Sequence, residues 1–166
     1  MQAHGSSSAI AATRAPEAGT TAESMIIVVC SLAVLAALIL GVGIPNHMEL
    51  RHIMQTLPAW GVVILGVKRS RVTGWFALPV FVFWLVLMSL IWLYLLGVSH
   101  LLSGNFTAWE ISMTIVVGVM CIIGIGTSVK IHSSLSKVSK AGVFVAVALL
   151  QFLCLRVSFL PAIAHR

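Results

Sequence analysis

An all-α membrane bundle, expected to hold five transmembrane helices, is what three features of this chain predict. Five apolar stretches separated by short polar joints run from residue 25 to residue 163. Apolar residues make up 60% of the chain and charged ones 8%, with a mean hydropathy of +1.09. A soluble domain of this size would need several times more charge to cover its surface. The basic residues gather at segment ends beside apolar runs, where Lys and Arg set membrane topology.

Residues 1–24 are rich in Ala, Ser, Gly and Thr and read as a disordered tail. The membrane domain is expected over 25–163, with a short C-terminal tail at 164–166. The first span, 25–43, carries no charge and is long enough to cross about 30 Å of hydrocarbon. Gly41, Gly43 and Pro45 mark its end. Asn46 is placed to cap the next helix, with Glu49 as its capping-box partner.

The stretch 47–67 is ambiguous. Its first half holds Glu49, Arg51, His52, Gln55 and Thr56, and its second half is apolar. As a unit it is a fifth span with one polar end. The alternative is four spans plus an interfacial or re-entrant segment, with Pro58 at the break. The third span, 74–98, is the strongest and contains Trp75, Trp84, Trp92 and Tyr94, with Pro79 near its start. The fourth, 111–129, is seeded with Gly118, Gly124 and Gly126. The last runs from about 142 to 163 and is interrupted by Gln151 and Arg156.

Ten Lys and Arg stand against four Glu and no Asp, giving a net charge of +6. Lys68, Arg69 and Arg71 form one basic joint, and Lys130, Lys137 and Lys140 form another. The positive-inside rule places both on the cytoplasmic side, together with the N-terminus if five helices cross. The aromatics are not interleaved with these charges, so the expected partner is the lipid bilayer rather than nucleic acid. A membrane-protein partner or a second copy of the chain is a further expectation.

That topology would gather Glu49, His52, His100, Glu110 and Arg156 near the outer interface, where ionisable groups are costly unless paired, hydrated or functional. Arg156 is the only basic residue inside a confident span, so an ion pair with Glu110 or Glu49 and plain snorkelling are both open. Gly118, Gly124 and Gly126, continued by Thr114 and Cys121, offer a surface for close helix packing.

Chemistry has less support. A b-type haem needs two facing histidines at similar depth. His52 and His100 could share a depth, but neither is embedded in an apolar helix. His47 and His52 lie on different faces of a helix. Cys30, Cys121 and Cys154 show no metal-binding spacing. No cofactor or metal is therefore expected. Without Asp there is no Ser-His-Asp arrangement, and Glu110 with His52 is an acid–base pair on paper only. Asn105, Phe106 and Thr107 fit a glycosylation acceptor.

An enzyme is thus less favoured than a small accessory, assembly or scaffolding component of a membrane complex. The alternative is a subunit of a small oligomeric transporter or channel. The expected location is a bacterial inner membrane.

Overall fold

The structure is a computed structural model, and it describes residues 18–98 and 106–164. Five long helices make up the bundle: α1 Ala18–Leu38, α2 Glu49–Val67, α3 Thr73–Leu95, α4 Ala108–Lys130 and α5 Lys137–Ser158. A π-helical turn, Ile39–Gly43, extends α1, and a short helix α6, Pro161–Ala164, follows α5. No strand occurs among the described residues.

The long helices form a closed ring in the order α1, α2, α5, α3, α4 and back to α1. Successive helices in the chain run in opposite directions. A closed ring with an odd number of alternating helices must contain one parallel pair. That pair is α3 and α5, whose starts meet where Lys140 Nζ lies 5.5 Å from the centre of the Trp75 ring.

One end of the bundle is basic. Ser133 Oγ donates to the Arg71 carbonyl at 3.0 Å, joining the loop after α2 to the loop after α4. The start of α1 lies at this end too, since a Cβ on Gly66 would stand 3.5 Å from the Ser24 carbonyl. At the opposite, distal end, Asn46 Nδ2 donates to Glu110 Oε1 at 2.7 Å. Trp109 Nε1 donates to the Gly41 carbonyl at 2.8 Å.

Four helices are long and apolar enough to cross a membrane: Ala22–Gly43, Thr73–Leu95, Ala108–Lys130 and Lys137–Ser158. Their outward residues are large and apolar, among them Val86, Ile122, Leu149, Leu153 and Phe152. A perimeter of this kind is stable only against hydrocarbon. The chain is a multi-pass integral membrane protein. The fifth helix, α2, has 19 residues and a rise of about 28 Å. It is continuous through Pro58 and lies antiparallel against α1, from Gly43 beside His52 to Gly66 beside Val28. It is not divided into an interfacial helix and a re-entrant stretch.

Several boundaries differ from the sequence expectation. Helix α1 starts at Ala18, inside the segment read as a tail. Helix α5 starts at Lys137 rather than near 142, because Ser136 Oγ accepts from the Ser139 amide and caps it. It stops at Ser158, ahead of Pro161, which cannot continue a helix. The expected cap at Asn46 is not formed. The residue before α2 is Met48, with no side-chain cap, and Asn46 reaches across to Glu110 instead. The capping box belongs to α4, where Thr107 Oγ1 accepts from the Glu110 amide and Glu110 Oε2 accepts from the Thr107 amide.

Helix α3 ends at Leu95 by a Schellman turn. Val98 donates to the Leu93 carbonyl and Gly97 to that of Tyr94, with Gly97 at φ +72°. The same pair of bonds closes α2 around Arg69 at φ +50°. A left-handed arginine carries a steric cost that glycine would not.

The basic half of the ring is closely packed. Phe81 is almost fully buried, and a Cβ on Gly124 would stand 2.5 Å from its ring. Gly124 is thus the position that lets an aromatic ring lie on the backbone of α4. Gly74 does the same for two backbones: its Cβ would meet the Ser128 carbonyl at 2.7 Å.

Candidate binding cavity

The distal half is not filled. A cavity of about 230 Å³ lies inside the ring, and all five long helices line it. Its walls are mostly apolar, including Leu38, Leu87, Ile91, Met113, Val117 and Leu155. The polar groups come from Arg51, His52 and Gln55 on α2, Trp84 on α3, and Glu110 and Thr114 on α4. For scale, a cavity of about 150 Å³ accepts benzene.

Each side chain is placed by its helix. Arg51, His52 and Gln55 occupy the first two turns of α2, and residues three or four apart share a face. The Arg51 guanidinium lies 4.2 Å from the centre of the Phe159 ring, and its Nη1 donates to Met48 Sδ at 3.8 Å. His52 Nδ1 is 2.9 Å from the Met48 carbonyl, which can only accept, so Nδ1 carries the proton. Gln55 Nε2 donates to Ser158 Oγ at 2.9 Å, and Gln151 Nε2 donates to the Gln55 carbonyl at 2.8 Å. These two bonds tie α5 to α2 beneath the cavity mouth.

Two polar atoms on lining residues lack a partner. Arg51 Nε and Trp84 Nε1 are buried donors with no hydrogen-bond partner. Trp84 is 3% exposed and sits at the midpoint of α3. Leaving a buried donor unsatisfied costs about 1–3 kcal/mol. Ser31 Oγ, Ser128 Oγ and Gln151 Oε1, on residues away from the cavity, are likewise buried without a partner.

The expected polar cluster is brought together only in part. His52 and Glu110 both line the cavity. Glu110 is a structural acceptor: Oε1 takes Asn46 Nδ2, and Oε2 takes the Thr107 amide and Thr107 Oγ1, the last two each at 2.8 Å. Its carboxylate is occupied, so it is not the partner of Arg156. Arg156 is exposed on the last turn of α5 and does not line the cavity. Glu49 is half-buried at the start of α2 and is also absent from the wall. His100 and Asn105 lie outside the described residues.

The three glycines separate as well. Gly124 packs within the bundle, whereas Gly118 and Gly126 have nothing within 4 Å of an added Cβ. Gly118 floors an outward groove between α3 and α4 that also includes Ser89, Trp92 and Thr114. Among the described residues, no group of three His, Cys, Asp or Glu could hold a metal ion. The three cysteines are buried free thiols.

Trp84 was not singled out by the sequence reading. Its signal was depth, since tryptophan favours membrane interfaces and this one is at mid-span. Comparison with protein-family models, with curated proteins and with solved structures gives no match.

Proposed function

We propose that this protein is a small, non-enzymatic membrane component that holds a small amphipathic molecule in its distal cavity, as an accessory subunit of a larger membrane assembly. The observation that carries the reading is the cavity, to which all five long helices contribute and whose walls are mostly apolar with a few polar side chains. Two of its three titratable residues are engaged in local structure, with Glu110 in a capping box and His52 Nδ1 on a backbone carbonyl. The accessory role draws support from α4, where Gly118 and Gly126 leave room for another helix to approach closely. The proposed location is a bacterial inner membrane with both basic loops in the cytoplasm, by the positive-inside rule.

Native mass spectrometry of the protein released from its own membrane in mild detergent tests this. The expected result is a hetero-complex whose subunit of this mass retains a small non-protein adduct. A closed homo-oligomer without adduct would contradict it. That result would favour the second reading, a transporter or channel subunit, for which the observation is a cavity lined by all five long helices. Transport through one copy would require Phe81 to leave Gly124 and open the basic half.

A further inference from the structure

The ring has one parallel pair, α3 and α5, so at the basic end two neighbouring helix starts stand side by side. Each follows a basic joint. Lys68, Arg69 and Arg71 lead into α3, while Lys130 precedes α5 and Lys137 and Lys140 open it. The bond from Ser133 to the Arg71 carbonyl holds the two joints together.

A groove of about 490 Å³ opens outward between these helices, lined by Trp75 of α3 and by Lys137, Lys140, Ala141, Phe144 and Val145 of α5. The α5 residues share one face, since 137, 141 and 145 are four apart, as are 140 and 144. That face passes from charge to hydrocarbon over a rise of about 12 Å from Lys137 to Val145. Lys137 and Val145 are exposed, and Lys140 is half-buried with its Nζ 5.5 Å from the centre of the Trp75 ring. The ring steadies Lys140 at the groove wall, while an ammonium has three donors and keeps some for another partner. Trp75 is the third residue of α3, a depth that suits an indole at the boundary between headgroups and hydrocarbon.

Acidic side chains do not offset these charges. Among the described residues, Glu49 and Glu110 are at the distal end, and Glu23 is on α1, which packs on α2 and α4 and not on α5. We infer that the groove is a binding site for one anionic phospholipid of the leaflet that meets the basic end. Its phosphate accepts from the Lys137 and Lys140 ammonium groups, and an acyl chain runs past Phe144 and Val145. A soluble anion would satisfy the lysines but leave the apolar part of the groove uncovered. A zwitterionic lipid would cover that part but bring no net charge to the lysines. The groove shares no residue with the distal cavity, so this site stands or falls apart from that one.

The test uses the full-length protein in an uncharged detergent, titrated with dioctanoyl phosphatidylglycerol and, in separate arms, with dioctanoyl phosphatidylcholine and with glycerol 3-phosphate. Native mass spectrometry counts the adducts and gives their dissociation constants. The expected result is one saturable phosphatidylglycerol, held about tenfold or more tightly than phosphatidylcholine. Lys137→Gln with Lys140→Gln should abolish that preference, since each well-placed lysine is worth about fivefold beside an anionic lipid. Lys68→Gln with Lys130→Gln removes the same charge outside the groove and should leave the preference within about threefold of its original value. Val145→Trp fills the groove, keeps every charge and changes an exposed side chain, and it should also abolish the tight adduct. Equal losses in the two charge variants would mean diffuse attraction by the whole basic end and would overturn the site. So would a tight adduct that survives Val145→Trp. Equal affinity for the two lipids would overturn the anionic class. Glycerol 3-phosphate bound as tightly as phosphatidylglycerol would make the ligand a free phosphate ester and overturn the lipid assignment.

Discussion

The basic and distal halves of the ring are held by different physics. In the basic half, glycines let side chains and backbones touch: Phe81 on Gly124, Ser128 on Gly74, Val28 on Gly66 and Phe76 on Gly61. The distal half has one such contact, Met113 on Gly41, and there long polar side chains add the ties: Asn46 to Glu110, Trp109 to Gly41, Gln55 to Ser158. Close packing leaves no space, whereas cross-links of long side chains hold helices at a distance and leave a cavity. A bundle whose exterior already faces lipid gains little from burying more apolar surface, so contact and hydrogen bonding decide where it closes.

Substitutions in the two halves should therefore behave differently. The largest effect is expected from Phe81→Ala, which empties the basic half and should cost about 3–5 kcal/mol in reversible unfolding from mixed micelles. Gly74→Ala follows, at about 1–3 kcal/mol, because its Cβ meets a backbone carbonyl that cannot rotate away. Glu110→Ala should cost about 1–2 kcal/mol, from the lost capping box and the bond to Asn46, with amide exchange rising at the start of α4. Trp84→Phe should change stability by less than about 1 kcal/mol, since it removes a donor that has no partner. An effect of Trp84→Phe as large as that of Phe81→Ala would erase the distinction between the halves. Arg69→Gly should raise stability by up to about 1 kcal/mol by relieving the left-handed backbone at φ +50°.

The basic half was the more legible from sequence. Its spans, its two charged joints and the role of Gly124 in packing all follow from composition and spacing. Even there, nothing local announced that Arg69 would take a left-handed conformation, because the turn is set by where α3 must begin. The distal half was read as a cluster of ionisable residues, and the structure divides that cluster by direction. His52 faces inward, Arg156 is exposed, and Glu110 turns to its own helix end. Depth can be counted along a sequence, but rotation around the helix axis depends on the ring order, which places α5 between α2 and α3. The capping box shows the same limit. Asn46 with Glu49 and Thr107 with Glu110 both carry the spacing, and tertiary contact drew Asn46 away.

The cavity's existence in one half and absence from the other is the central claim, and accessibility to a thiol reagent tests it most directly. Thr114 lines the cavity on α4, and Cys121 lies two turns further on the same face, in the closely packed half at 0% exposure. In a variant with Thr114→Cys, Cys30→Ala and Cys154→Ala, a small membrane-impermeant thiosulfonate is added from the distal side. The account predicts that the thiol at 114 is modified and that Cys121 is not. Modification of both, or of neither, would contradict it.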